Sequence, residues 1–186
     1  MKYLLLLFLM LPVGDNTQHL TEVVTVEGKT SEELYENAKE WFSLNFKSAD
    51  DIIELDDPVD KKLIGKGSKQ VEYMVGYIPS FMTIYYTMTV QCKDGRYKYE
   101  IQQTEIKAPG GKECTYDQLK EWATEDGLLR LYESMGTKVR GGIIRKGFEE
   151  HLQHNKELVA SVDKQLPLIV QEFDQAIRRD RNQDDW

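Results

Sequence analysis

Two histidines three residues apart, His151 and His154, flanked by Glu150 and Glu157, come closest in this chain to a metal-binding set. Imidazole and carboxylate groups within one or two helical turns can converge on zinc or another transition metal. The pattern is not H-E-x-x-H, however, and no third ligand is marked elsewhere. The apolar stripe Phe148, Leu152 and Val159 leaves these groups at its edge or in solvent. A second cluster, Asp56, Asp57 and Asp60, offers hard oxygen ligands and a carboxylate pair for acid–base work. It lacks the alternation and terminal Glu of a calcium loop, and Asp57-Pro58 is ordinary turn chemistry. Gly65-Lys66-Gly67-Ser68 lacks the first glycine of a phosphate loop and lies between strands, where a bulge or tight bend is expected. There is no G-x-S-x-G, no serine, histidine and acid set, and no cysteine with an activating base. The expectation is no catalytic residue, no metal site and no cofactor. A metal-dependent hydrolase or metal-binding protein using Asp56, Asp57, His151 or His154 is the alternative.

The ten tyrosines are more unusual. Tyr73, Tyr77, Tyr85, Tyr86, Tyr97 and Tyr99 all fall in predicted strands. Tyr86, Tyr97 and Tyr99 fall on the apolar side of a hairpin, which makes them core. Tyr85 lies on the opposite face, and Tyr73 and Tyr77 share one face of their own strand. If that second sheet face is open, Tyr73, Tyr77 and Tyr85 form a candidate amphipathic binding surface; simple packing is the competing reading.

The elements that position these residues follow from local pattern. Leu20 to Glu27 has the β-branched content of a strand and Gly28 ends it. Thr30 with Glu33 forms a capping box, and Leu34, Tyr35, Ala38, Trp41, Phe42 and Phe46 follow at helical spacing, one wide apolar stripe that needs a sheet beneath it. Asp51 to Leu55, Leu63 to Ser68 and Val71 to Ile78 read as strands, the last two interrupted by Gly65 and Gly67. Asp94-Gly95 has the composition of a two-residue type I′ hairpin. That turn pairs Cys92 with Tyr97, Val90 with Tyr99 and Met88 with Ile101 on an apolar face. Gln91 with Lys98, Thr89 with Glu100 and Thr87 with Gln102 fall on a polar one, so turn and alternation agree on register.

From Lys107 the texture changes. Ala108-Pro109-Gly110-Gly111 is a loop, and Thr115 with Gln118 forms a second capping box opening a helix through Trp122 and Ala123, which Asp126-Gly127 breaks. A short helical segment is predicted around Leu128 to Met135. After Gly141-Gly142, residues Ile144, Phe148, Leu152, Val159, Val162, Leu166, Ile169, Phe173 and Ile177 mark one helix face, with Pro167 kinking or restarting the helix. From about 178 the chain is polar and is expected to fray, leaving Trp186 at the very end.

Composition bounds the rest. The chain of 186 residues has 40% hydrophobic and 30% charged residues, fitting one globular domain. A net charge of -8 disfavours nucleic acid and anionic lipid as partners. Lys2 followed by the apolar run Leu4 to Val13 has the layout of a secretory signal peptide over residues 1–14, processed somewhere in Gly14 to His19. Ten such residues as a helix span about 15 Å, half of a hydrocarbon core of about 30 Å, so no stable membrane span is expected. Cys92 sits beside the hairpin turn. The strand from Arg96 to Ile106 carries the chain about 33 Å away. The eight residues to Cys114 return at most about 27 Å, so two free thiols are expected, with Cys92 packed as a small apolar residue.

Leu34-Tyr35 and Trp41, Asn45-Phe46-Lys47-Ser48-Ala49, Ile52-Ile53, Asp56-Asp57 and Ile64-Gly65-Lys66-Gly67 occur in the order in which a known family carries them. From about Leu20 to Lys107 the chain resembles the secreted bacterial domain-of-unknown-function family described as having a TBP-like fold. The resemblance implies an antiparallel sheet with helices on one face in the order β-α-β-β-β-β-α, and it implies export. It supplies no activity, cofactor or catalytic residue, and fold does not carry function with it. The expected architecture is α+β: an antiparallel sheet of four to five strands with helices packed on one face, a core over 20–107, and a helical extension over 115–186 packing on it. The expected role is a non-enzymatic, exported periplasmic or cell-envelope module binding a protein or glycan.

Overall fold

In a computed structural model the chain is described over residues 18–46, 52–75, 78–107 and 113–180. The leader read over 1–14, Tyr77, the loop 108–111, and Trp186 with most of the polar tail lie outside the described residues. The elements run β1 (His19–Thr25), α1 (Ser31–Asn45), β2 (Ile52–Asp57), β3 (Lys62–Val75), β4 (Ile78–Lys93), β5 (Arg96–Lys107), β6 (Glu113–Cys114), α2 (Tyr116–Trp122), α3 (Glu125–Ser134), α4 (Gly142–Asp163) and α5 (Gln165–Ile177). The sheet is antiparallel in the order β1-β5-β4-β3-β2, with the two-residue β6 added beside β5. Among the described residues no helix is long and apolar enough to cross a membrane.

Both capping boxes form. Glu33 N donates to Thr30 Oγ1 at 3.2 Å, while Thr30 N and Thr30 Oγ1 donate to Glu33 Oε2 at 2.9 and 3.0 Å and hold the Glu33 carboxyl below its ordinary range. The Thr115 box opens α2 in the same way. The predicted stripe of α1 is its inner face: Leu34, Tyr35, Ala38, Trp41 and Phe42 are buried. They meet Met88, Val90, Cys92, Tyr97 and Ile101 of the sheet and Leu166, Ile169, Phe173 and Ile177 of α5 in one apolar cluster. A second cluster lies beneath α2 and α4, where Tyr116, Leu119 and Val162 cover Val71, Met82, Ile84 and Ile106. The helix that closes the sheet beside α1 is therefore α5, with three helices intervening after β6.

The β4–β5 hairpin has the predicted register, Cys92 opposite Tyr97, Val90 opposite Tyr99 and Met88 opposite Ile101. Its turn is not type I′, which needs positive φ at both central residues. Only Gly95 has one, at 72°. The difference has a tertiary cause, since Asp94 Oδ1 accepts the Ser31 N–H at 2.7 Å and Gly95 N donates to Lys29 O at 2.8 Å, tying the turn to the β1–α1 connection. A bulge at Thr104 follows, and it returns Ile106 to the covered face opposite Ile84.

Two further expectations are corrected. β3 is one uninterrupted strand through Gly65 and Gly67, paired residue by residue with β4; the irregularity lies across from it, at Glu54 in β2. The glycines are there because an ideal Cβ on Gly65 would stand 2.7 Å from Phe42 Cε1, and one on Gly67 would stand 2.7 Å from the Tyr86 ring. Asp126-Gly127 does not break a helix. It lies in the first turn of α3, which Thr124 caps through Gly127 N at 3.1 Å, and the break falls just before it. The long C-terminal periodicity restarts as expected near Pro167: α4 and α5 meet at Lys164, and Pro167 lies in the first turn of α5, where its missing N–H costs nothing. Cys92 and Cys114 are unbonded, and burial pushes the Cys92 thiol up to about 12.

Candidate functional site: the uncovered sheet face

Strict alternation along β4 creates the site. Met82, Ile84, Tyr86, Met88, Val90 and Cys92 are buried under the helices. The residues between them, Phe81, Thr83, Tyr85, Thr87, Thr89 and Gln91, therefore point to the other side of the sheet. In register beside them β3 places Lys66, Ser68 and Gln70, while β5 places Lys98, Glu100, Gln102 and Glu105. β1 adds His19, Thr21 and Val23, and His19 Nε2 lies 3.2 Å from Glu100 Oε1. No described helix covers this face, which is broad and hydroxyl-rich. Tyr85, half-buried, is near its centre, and Phe81 and Val23 stand 46% and 56% exposed toward its margins.

Its charge differs from that of the whole molecule. Lys62, Lys66, Lys93, Arg96, Lys98 and Lys107 stand against Glu54, Asp57, Glu72, Glu100, Glu105 and Glu113, six cations to six acids. The chain carries -8, so its acidic excess lies off this face. Such a balance neither repels anions nor provides the basic stripe that nucleic acid needs.

The candidate tyrosines do not form one surface. Tyr85 is on the uncovered face. Tyr73 is on the helix side, packed against the α4 cluster with its ring 5.5 Å from His154. Tyr77 lies outside the described residues. What sequence reading missed was the partner set of Tyr85: Thr83, Thr87 and Thr89 recur at a period of two around it, and that alternation was visible in the chain.

The acids and histidines are occupied elsewhere. Asp56 accepts from Lys39 Nζ at 2.5 Å and from Tyr35 Oη, and the Lys39 ammonium above all holds its carboxyl low; burial, aided by Asp56, pushes the Tyr35 hydroxyl up. Asp57 Oδ1 accepts Val59 N at 2.9 Å and Asp60 N at 3.1 Å, an ordinary turn. Lys66 is paired with Ile52 on one side and Thr87 on the other, so its segment forms a ladder and not an anion cradle. His151 Nδ1 lies 3.1 Å from Tyr132 Oη between α4 and α3. Among the described residues no three His, Cys, Asp or Glu side chains converge as a metal set.

His151 gives a pH prediction. Burial, reinforced by His154, holds its imidazole below the ordinary 6.5, so the fold favours the neutral ring. The stabilisation is complete above that value and is lost as the pH falls below it. Urea midpoints between about pH 7.5 and 5.5 should fall more steeply for the parent chain than for His151→Gln. Parallel slopes would refute the assignment.

Comparison with known proteins agrees with the architecture. Residues 20–107 match the family model described as "Domain of unknown function (DUF4468) with TBP-like fold". A solved DUF4468 family protein from Bacteroides ovatus superposes with a TM-score of 0.51 at 15% identity, covering 81% of this chain and 84% of that one. A TBP-like protein from Parabacteroides distasonis gives 0.59 at 10% identity, covering 90% and 97%. No curated protein matches the chain.

Proposed function

We propose that this protein is a non-enzymatic binding module; the match of residues 20–107 to the model of DUF4468 domains with a TBP-like fold brings shape and no activity. The module works in the cell envelope and engages a protein or glycan through the uncovered sheet face around Tyr85. One observation carries this reading: five strands present a continuous face that no described helix covers, where tyrosine and exposed apolar side chains alternate with hydroxyls at near-neutral charge. Tyrosine among short hydroxyl and amide side chains is a composition suited to protein and sugar recognition, giving large rigid contact area with adaptable hydrogen bonding. Export is supported by Lys2 and the apolar run Leu4 to Val13.

A photoreactive side chain placed at Thr87, in the middle of this face, should crosslink a discrete envelope component in the native cells. The same group at Glu150, on α4, should not, and Tyr85→Ala should abolish the Thr87 adduct while the protein remains folded. Identical adducts from both positions, or an intact Met1 on a cytoplasmic protein, would refute the proposal.

A further inference from the structure

Each edge strand of a sheet presents a row of backbone donors and acceptors able to template another chain, and proteins blunt such edges with bulges, lysine, proline or cover. β2, one edge, carries the Glu54 bulge and the acids Asp56 and Asp57, with Pro58 directly after it. β1, the other, has no bulge, lysine or proline, and its single acid, Glu22, points into the groove beside α5. Over its sequence His-Leu-Thr-Glu-Val-Val-Thr the seven pairs with β5 run without irregularity. Among the described residues no strand pairs with its outer side.

Beside this edge, on the helix side, α5 and β1 enclose a groove of about 350 Å³. Val24, Pro167 and Val170 supply its apolar wall, with Tyr97 and Tyr99 at its floor. Pro167, Val170, Gln171 and Asp174 of α5 and Arg178, just past its end, line it, so this side of the helix follows the groove for about 16 Å.

The charges in the groove do not balance. Asp174 accepts from Tyr97 Oη at 2.5 Å and is matched by Arg178, whose Nε lies 2.8 Å from Oδ1 and 2.9 Å from Oδ2. Glu22 is held only by Tyr99 Oη at 3.2 Å, and no lysine or arginine among the described residues pairs with it. Two carboxylates against one guanidinium leave a surplus negative charge fixed beside tyrosine rings, an arrangement that suits an incoming guanidinium or ammonium group.

We propose that the β1–α5 groove receives an extended basic peptide segment, which adds to the free edge of β1 and sets an arginine or lysine side chain against Glu22 and the Tyr99 ring. Backbone pairing supplies affinity and the Glu22 contact supplies selectivity. The site is distinct from the Tyr85 face, because Leu20, Glu22 and Val24 point to the helix side of the strand. Its far limit is Thr25, whose carbonyl accepts from Arg178 Nη1 at 3.5 Å.

The probes are two blocked pentapeptides, Thr-Val-Arg-Val-Thr and Thr-Val-Glu-Val-Thr, titrated into the isotope-labelled protein and followed by amide NMR. The arginine peptide should shift the amides of Leu20 to Val24 and of Val170 to Arg178 in a saturable way, and the glutamate peptide should bind at least roughly fivefold more weakly. Glu22→Gln, which keeps a hydrogen-bond acceptor for Tyr99, should erase that preference without disturbing the rest of the spectrum. Equal affinity for both peptides, shifts confined to other surfaces, or no saturable shift would overturn the proposal. So would broadening of the β1 amides with protein concentration alone, which would make a second copy the occupant.

Discussion

A chain ending at Asp163 is expected to lose cooperative unfolding altogether. Removing α5 deletes Leu166, Ile169, Phe173 and Ile177, each no more than 2% exposed. Burial of one such side chain contributes about 1.5–3 kcal/mol, so the four together supply up to about 6–12 kcal/mol, comparable with the whole stability of an ordinary domain at about 5–15 kcal/mol. The loss would also strip specific contacts. Phe173 meets Trp41 edge-on at 5.2 Å and Tyr97 at 5.5 Å, and Asn37, buried in α1, donates to Ile177 O at 2.9 Å. Urea unfolding followed by near-ultraviolet circular dichroism would show a broad, featureless change in place of a transition. Phe173→Ala in the full chain is the graded version, with an expected cost of about 3–5 kcal/mol. A sharp transition in the shortened chain would mean that 20–107 closes its core without α5.

Gly65→Val should be the most damaging single change in the sheet. The added Cβ would stand 2.2 Å from Phe46 Cε2 and within 2.9 Å of two atoms of Phe42. Phe46 is half-buried where α1 ends and can swing aside. Phe42 is fully buried between α1 and the strands and cannot, so the helix itself must lift. Overpacking of this kind costs about 1–3 kcal/mol for a small addition, and valine adds two methyl groups beyond the Cβ, placing it at or above the upper end. Since valine otherwise favours strands, a propensity effect alone would stabilise the protein, and the sign of the change in urea midpoint decides between the two accounts.

Local grammar was legible in the sequence. The Thr30 and Thr115 capping boxes, the α1 stripe and the Asp94-Gly95 register all depend on residues within a few positions of one another, or on a two-residue turn that fixes everything beyond it. What could not be read depends on distant partners. Gly65 and Gly67 read as interruptions, because nothing near them in sequence announces that the Phe42 and Tyr86 rings lie on top. The turn type changed because Ser31 and Lys29, far upstream, bind it. Gln103, 1% exposed and opposite Tyr86, is a polar residue at a buried position that alternation alone would not predict beside a bulge. For the candidate surface, Tyr85 was placed correctly by parity within its hairpin. Tyr73 needed knowledge of where α4 would lie, and the β1–α5 groove needed the two ends of the fold brought together.

That meeting of early and late segments has a consequence for how the protein comes to be folded. β1 and α1, at residues 19–45, share their apolar cluster with α5, at residues 165–177. During synthesis at about 5–20 residues per second the sheet can be assembled well before its lid exists, so the chain spends about 4–14 seconds with Trp41, Tyr97 and their neighbours exposed. Contacts of such long sequence separation also slow the final step once the chain is complete. A nascent chain that cannot close until Ile177 has emerged stays pliable throughout its passage off the ribosome. That is the state a translocation channel accepts and the state in which a holding chaperone would find it.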